Sequence, residues 1–160
     1  MNILKNKHVL TASLVAPLLA LMSYFAIDFF VGETPHAARE GQSYQLVEKS
    51  NCRYDSGQCD LQNGDFRLSL NPEWGTDGQL LLTLQSVFPL EGVVISLARG
   101  GAGDTVPVNM RAVSGDGLAW SIMLDNPDPA DDRLRLVASS NQSLWYADAA
   151  MKFALSGDGQ

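Results

Sequence analysis

The chain has 160 residues, 46% of them apolar and 18% charged, with a formal net charge of −7. That apolar fraction argues against disorder, and the acidic balance argues against nucleic acid as a partner, since phosphate binding needs clustered Lys and Arg. Two cysteines are too few for a disulfide-dense mini-protein or a four-thiolate zinc site.

The first thirty residues read as a membrane segment. Lys5 and Lys7 precede a run over residues 9–27 with no charged side chain. As a helix it would be about 28 Å long at ~1.5 Å per residue, against a hydrocarbon core of about 30 Å. Asp28 interrupts the run, and Phe29, Phe30 and Val31 extend it to the bilayer edge. Tyr24, Phe25, Phe29 and Phe30 gather at that end, as an interfacial aromatic belt does. Pro17, mid-span, is tolerable in such a helix. Lysines at the N-terminal flank, with Asp28 and Glu33 at the other, orient the N-terminus toward the cytoplasm. The competing reading is a cleaved signal peptide. The run is longer than an h-region of about 7–15 residues, and no good small-residue cleavage site follows it. The expected organisation is a cytoplasmic N-terminus (1–8), a transmembrane anchor (9–31), a linker (32–42) and a periplasmic β-sandwich domain (43–157).

Beyond the linker, period-two patterns dominate. Phe66, Leu68 and Leu70 alternate with Asp65, Arg67 and Ser69, and Leu80, Leu82 and Leu84 alternate with Leu81, Thr83 and Gln85. The same period recurs at Val93, Ile95 and Leu97; Val106, Val108 and Met110; Leu118, Trp120, Ile122 and Leu124; and Leu134 and Leu136. A seventh pattern runs from Trp145 to Leu155, and an eighth strand is expected at 44–50. Asn63-Gly64, Asp77-Gly78, Gly115-Asp116-Gly117, Asn126-Pro127 and residues 139–142 supply turn chemistry between them. The fold class expected is all-β: an immunoglobulin-like antiparallel β-sandwich of seven to eight strands, preceded by one N-terminal transmembrane helix. A small barrel is the alternative.

Cys52 and Cys59 flank Asp55-Ser56-Gly57, a turn able to bring them together. In an oxidising compartment such a pair bridges, and closing so short a loop restricts the unfolded chain by roughly 2–3 kcal/mol. A redox pair would usually be C-x-x-C at a helix N-terminus, and no such helix is expected here. The two histidines, His8 and His36, both precede the β domain. The domain therefore lacks Ser-His-Asp or Cys-His catalysis and histidine-based zinc or copper sites. No phosphate loop, dinucleotide fingerprint or Gly-x-Ser-x-Gly is present. Residues 125–132 hold four carboxylates interrupted by two prolines, which reads as a solvated acidic loop rather than an EF-hand. The glycine-rich run 100–104 reads as a hairpin loop.

Over residues 80–155, strands ending at Leu124 lead through the acidic loop to a final strand bearing Trp145. Together with the N-terminal apolar run, this layout resembles the FixH/CcoH-type membrane-anchored periplasmic proteins associated with bacterial cytochrome oxidase assembly. The resemblance implies a periplasmic sandwich on a membrane helix and a supporting role toward a respiratory membrane complex. It carries no site residue onto this chain, and the Cys52–Cys59 segment is not part of it.

The function expected is that of a non-enzymatic accessory protein in a bacterial inner membrane. Its partner would be a membrane or periplasmic protein, and no cofactor is called for. From residue 32 onward nine Lys/Arg stand against seventeen Asp/Glu, so the domain is repelled by anionic lipid rather than laid on it. The alternative is a periplasmic copper or thiol-redox carrier using Cys52 and Cys59, with methionines as further soft ligands. A carboxylate-based enzyme is the third reading.

Overall fold

The computed structural model describes residues 7–31, 41–100 and 103–155, the side chains of 7, 10 and 27–31 excepted. The linker expected at 32–42 falls outside the described residues except at 41–42; so do His36, two residues of the glycine-rich run and 156–157. The chain divides into two units, Met1–Pro35 and His36–Gln160.

In the first unit a helix, α1, runs Lys7–Val31 with Pro17 inside it. Leu14, Leu18, Leu19, Leu21, Met22 and Phe25 are all exposed. At 3.6 residues per turn these six cover less than half of the helix circumference, and the exposed Ala12, Ala16, Ala20 and Tyr24 occupy most of the rest, so α1 is apolar nearly all round. Among the described residues, however, no helix is long and apolar enough to cross a membrane. The expectation over 9–31 is met as a helix.

Among the described residues the second unit holds twelve strands: β1 (Ser43–Gln45), β2 (Val47–Glu48), β3 (Cys59–Asn63), β4 (Phe66–Trp74), β5 (Gln79–Ser86), β6 (Gly92–Arg99), β7 (Gly103–Asp104), β8 (Val108–Asn109), β9 (Arg111–Ala112), β10 (Ala119–Asp125), β11 (Arg133–Ser140) and β12 (Ser143–Ala150). They form two sheets of six. One has the order β1-β12-β11-β6-β7, with β8 also on β6; the other has the order β2-β3-β4-β5-β10-β9. Among the described strand pairs, β1 on β12 alone is parallel.

The period-two patterns now have a physical destination. Leu68 and Leu70 of β4, Leu80, Leu82 and Leu84 of β5, and Trp120 and Leu124 of β10 are buried in one sheet. Val93, Ile95 and Leu97 of β6, Leu134, Leu136 and Ala138 of β11, and Trp145, Ala147 and Ala149 of β12 are buried in the other. All belong to one apolar cluster, so the sheets face each other in a β-sandwich-like arrangement with one dry face each.

Each open side of this layer pair is closed the same way. Between β1 on one sheet and β2 on the other stands Leu46, 2% exposed. Its N–H donates to the Tyr146 carbonyl at 2.7 Å. Between β8 and β9, which also lie on opposite sheets, stands Met110, 4% exposed. Its N–H donates to the Val93 carbonyl at 2.8 Å. A single apolar residue thus turns inward where the chain steps from sheet to sheet.

Several expectations are corrected. Of Val106, Val108 and Met110, only Met110 is buried, because the segment crosses between sheets instead of running along one. The last pattern stops as a strand at Ala150 and continues as a 3-10 turn, Lys152–Ala154, whose Phe153 is fully buried. Strand β3 begins at Cys59 itself, where none was expected.

The strand order also differs from an immunoglobulin constant domain. There the third strand joins the smaller sheet and the fourth the larger. Here, among the seven long strands, the third (β5) and fourth (β6) have exchanged sheets. The cause is local. Residues 75–78 are too few to cross the core, and the turn they form, with Asp77 and Gly78 at positive φ, folds β5 back beside β4.

Gly117 offers a direct test of close packing in the loop before β10. Its φ is +72°, and an added Cβ would lie 2.7 Å from the Leu90 carbonyl oxygen. Its own carbonyl accepts the Leu90 N–H and the Trp120 indole N–H, both at 2.9 Å. Gly117→Ala should destabilise by about 2 kcal/mol or more. Gly115→Ala, where no atom lies within 4 Å, should change stability by less than about 0.5 kcal/mol. Denaturant midpoints of the two variants compare them directly.

Candidate functional site

Two regions of the second unit gather polar side chains around buried structure, at opposite sides of the sandwich. The first surrounds the cysteines. A 3-10 turn, Ser50–Arg53, leads from β2 toward β3, and Cys52 is disulfide-bonded to Cys59 with a Cα–Cα distance of 4.3 Å. Both half-cystines have no exposed surface. The pairing expected from sequence is therefore present, and its sulfurs lie in the core rather than at a surface.

Asp60, next to Cys59, organises the polar shell over this staple. Its carboxylate accepts hydrogen bonds from Ser69 Oγ at 2.7 Å, Gln58 Nε2 at 2.9 Å and Asn51 Nδ2 at 2.9 Å. Asn51 Oδ1 accepts the Asp60 N–H in return at 3.2 Å. Partial burial pushes the Asp60 carboxyl upward. The hydrogen bonds and the positive charge of Lys49 outweigh it and hold the group below its ordinary 3.8. Glu48 performs a related task across the sheets. It takes an ion pair from Arg53 at 2.7 Å and accepts the Ala150 N–H of β12 at 2.7 Å.

The carrier reading needs accessible soft ligands. Among the described residues no cysteine is free, and Met110 and Met151 are buried; only Met123 of the β domain's three methionines is exposed. Among the described residues no three His, Cys, Asp or Glu gather to hold a metal.

The acidic loop is folded on itself. The Asp132 carboxylate, 5% exposed as a residue, accepts the Asp128 N–H at 2.9 Å and lies 3.9 Å from Arg99 Nε. The Asp128 carbonyl accepts the Asp132 N–H at 2.7 Å, and its carboxylate accepts the Ala130 N–H at 3.1 Å. Two of the four carboxylates are thus spent on building the turn that joins β10 to β11.

The second region is a groove of about 600 Å³ on the side closed by Met110. Ile95 and Leu97 of one sheet, Ile122 and Leu124 of the other, and the exposed Val106 and Val108 line it. Val106 is 80% exposed. The charged groups on its rim are Arg99, Arg111 and a single carboxylate, Asp125. An apolar trough with a few polar rim groups suits binding. Sequence reasoning missed this groove. Its one signal was the alternation at 106–110, which reads as a strand of the core.

The Asp60 network predicts a pH dependence with a definite sign. A carboxyl held lower in the folded chain than in the unfolded one contributes stability that is complete above 3.8 and is lost as pH falls below it toward the folded value. Asp60→Asn should cost about 1 kcal/mol near neutrality and flatten the stability profile below pH 3.8. Urea titrations at several pH values measure both. Reducing the disulfide should separately cost roughly 2–3 kcal/mol, read as a drop in the urea midpoint.

No family model and no curated protein matches this chain. It is similar to a solved structure described as a crystal structure of the Br derivative of BhCBM56, a carbohydrate-binding module. That likeness has a TM-score of 0.44 at 10% identity, over 56% of this chain and 92% of the other.

Proposed function

We propose that this chain is a non-enzymatic interaction protein, tethered to a bacterial inner membrane by α1 and presenting its β domain to the periplasm. The observation that carries the reading is the fully buried Cys52–Cys59 disulfide in a domain that follows an apolar helix. Disulfides persist outside the reducing cytosol. An uncharged run over residues 9–27 behind two lysines is how a chain is retained at a membrane with the following domain translocated. The exposed leucines around α1 support that tether, since apolar side chains on all faces suit lipid better than water.

The work of the domain is contact with another protein of the membrane or periplasm. The apolar groove is its available recognition surface, and the acidic balance beyond residue 32 keeps the domain off anionic lipid. Support of a respiratory membrane complex is the role that the resemblance to FixH/CcoH-type proteins implies.

Maleimide labelling in intact cells tests the compartment. No cysteine should label before reductant is added, and the full-length chain should stay with membranes through alkaline carbonate washing. Free thiols, together with release into the wash, would overturn the proposal. Crosslinking in cells followed by detergent extraction tests the contact. The chain should migrate with a second protein, and a lone monomer under every crosslinker would remove the interaction reading.

A further inference from the structure

Strand β10 is fully paired on one side only. β5 pairs with every residue of Ala119–Asp125. On the opposite side β9 pairs with Trp120 and Ser121 alone, and the Val113 N–H donates to the Ala119 carbonyl at 2.9 Å. In an antiparallel ladder the N–H and C=O of alternate residues point the same way. The backbone groups of Ala119, Ser121, Met123 and Asp125 therefore all face away from β5. Ala119 and Ser121 meet the β9 segment, and the Asp125 carbonyl accepts Arg99 Nη2 at 3.4 Å. Among the described residues no hydrogen bond reaches the Met123 N–H or carbonyl from that side.

The groove wraps this open edge. Ile122 and Leu124, from the inner face of β10, line it together with Met123 and Asp125, from the outer face. What it offers is thus more than an apolar surface. It is a backbone donor and acceptor beside two inward-facing apolar positions, in line with a strand that stops after two residues.

We propose that this edge receives an extended segment of a partner polypeptide as an added strand, antiparallel to β10 and continuing the line of β9. This rests on the interaction reading above and specifies the partner's chemistry. The residue opposite Met123 exchanges backbone hydrogen bonds with it. The residues opposite Ile122 and Leu124 are apolar, because their side chains turn into the trough against Ile95 and Leu97. The end of the segment nearest β9 carries a carboxylate, because it arrives beside the exposed Arg111 guanidinium in an otherwise acidic domain.

The test uses the full-length chain in detergent micelles and the probe acetyl-Thr-Val-Thr-Val with a free C-terminal carboxylate, so that its valines stand opposite Leu124 and Ile122 and the carboxylate stops beside Arg111. Saturating peptide should slow hydrogen exchange of the Met123 amide about tenfold or more. Met123→Pro removes the donor that faces the open edge while leaving the ladder to β5 intact; it should weaken binding about tenfold, whereas Met123→Ala should bind as the parent does. If the proline variant does not fold, a probe N-methylated at the residue opposite Met123 must lose binding to the unaltered chain to the same degree.

No protection at about 1 mM probe, protection confined to other strands, or an N-methylated probe that binds equally well would each overturn the proposal. Protection of Met123 without peptide, rising with protein concentration alongside a sedimenting dimer, would overturn it in favour of a second copy on the edge. Crosslinked partners that persist in Met123→Pro would reject the edge while leaving the interaction reading standing.

Discussion

Two sheets stacked face to face bury their facing side chains only if the long sides between them are shut. In this domain that constraint governs everything else. Leu46 and Met110 meet it, each the single residue between a short strand on one sheet and a short strand on the other. Without them the rows of leucine on β4, β5 and β11 would line a slot open to water, and the ~25 cal/mol per Å² gained from burying apolar surface would be partly lost.

The two closures differ in what backs them. Around Leu46 the chain adds the disulfide, the Asp60 hydrogen bonds and the Glu48 link to β12. It also adds a column of rings: Tyr44 stacks on Trp145 at 4.7 Å between centroids, and Trp145 stacks on Phe66 of the opposite sheet at 4.0 Å. Aromatic contacts of this kind add about 0.5–1.5 kcal/mol each beyond the area they bury. Around Met110 there is no such reinforcement among the described residues. The strands β7, β8 and β9 are two residues each, Val106 and Val108 point to solvent, and half of β10 keeps an open edge. One side of the domain is stapled and the other is left ready for contact.

The sequence announced the rigid part far better than the open part. Alternation identified β4, β5, β6, β10 and β11 because each has one wet and one dry face, and polarity then records the side of the sheet. The disulfide was legible from the turn residues between two cysteines in a domain that lacks histidine. Strand β3 was hidden because Asp60 and Gln62 frame only one inward leucine, Leu61. The exchange of β5 and β6 between sheets was hidden because hydrophobic patterning says which face is dry and nothing about which sheet a strand joins. The open edge is harder still to read. Whether Met123 has a hydrogen-bonding neighbour depends on where β9 begins, and that is decided thirteen residues away by the step at Met110.

The turn at Lys152–Ala154 bears on the timing of assembly. Phe153 fills the core, its carbonyl accepts the Gly57 N–H at 3.1 Å, and the Ala154 carbonyl accepts the Trp74 indole N–H at 2.8 Å. Among the described strands, β1, near residue 43, pairs with β12 alone, a hundred residues further on. Such distant partners make folding slow and late. A chain emerging N-terminus first, from a ribosome or across a membrane, must expose the half-built leucine layers until residues 143–154 arrive, and over that interval it is at its most vulnerable to proteases and to sticking to its neighbours.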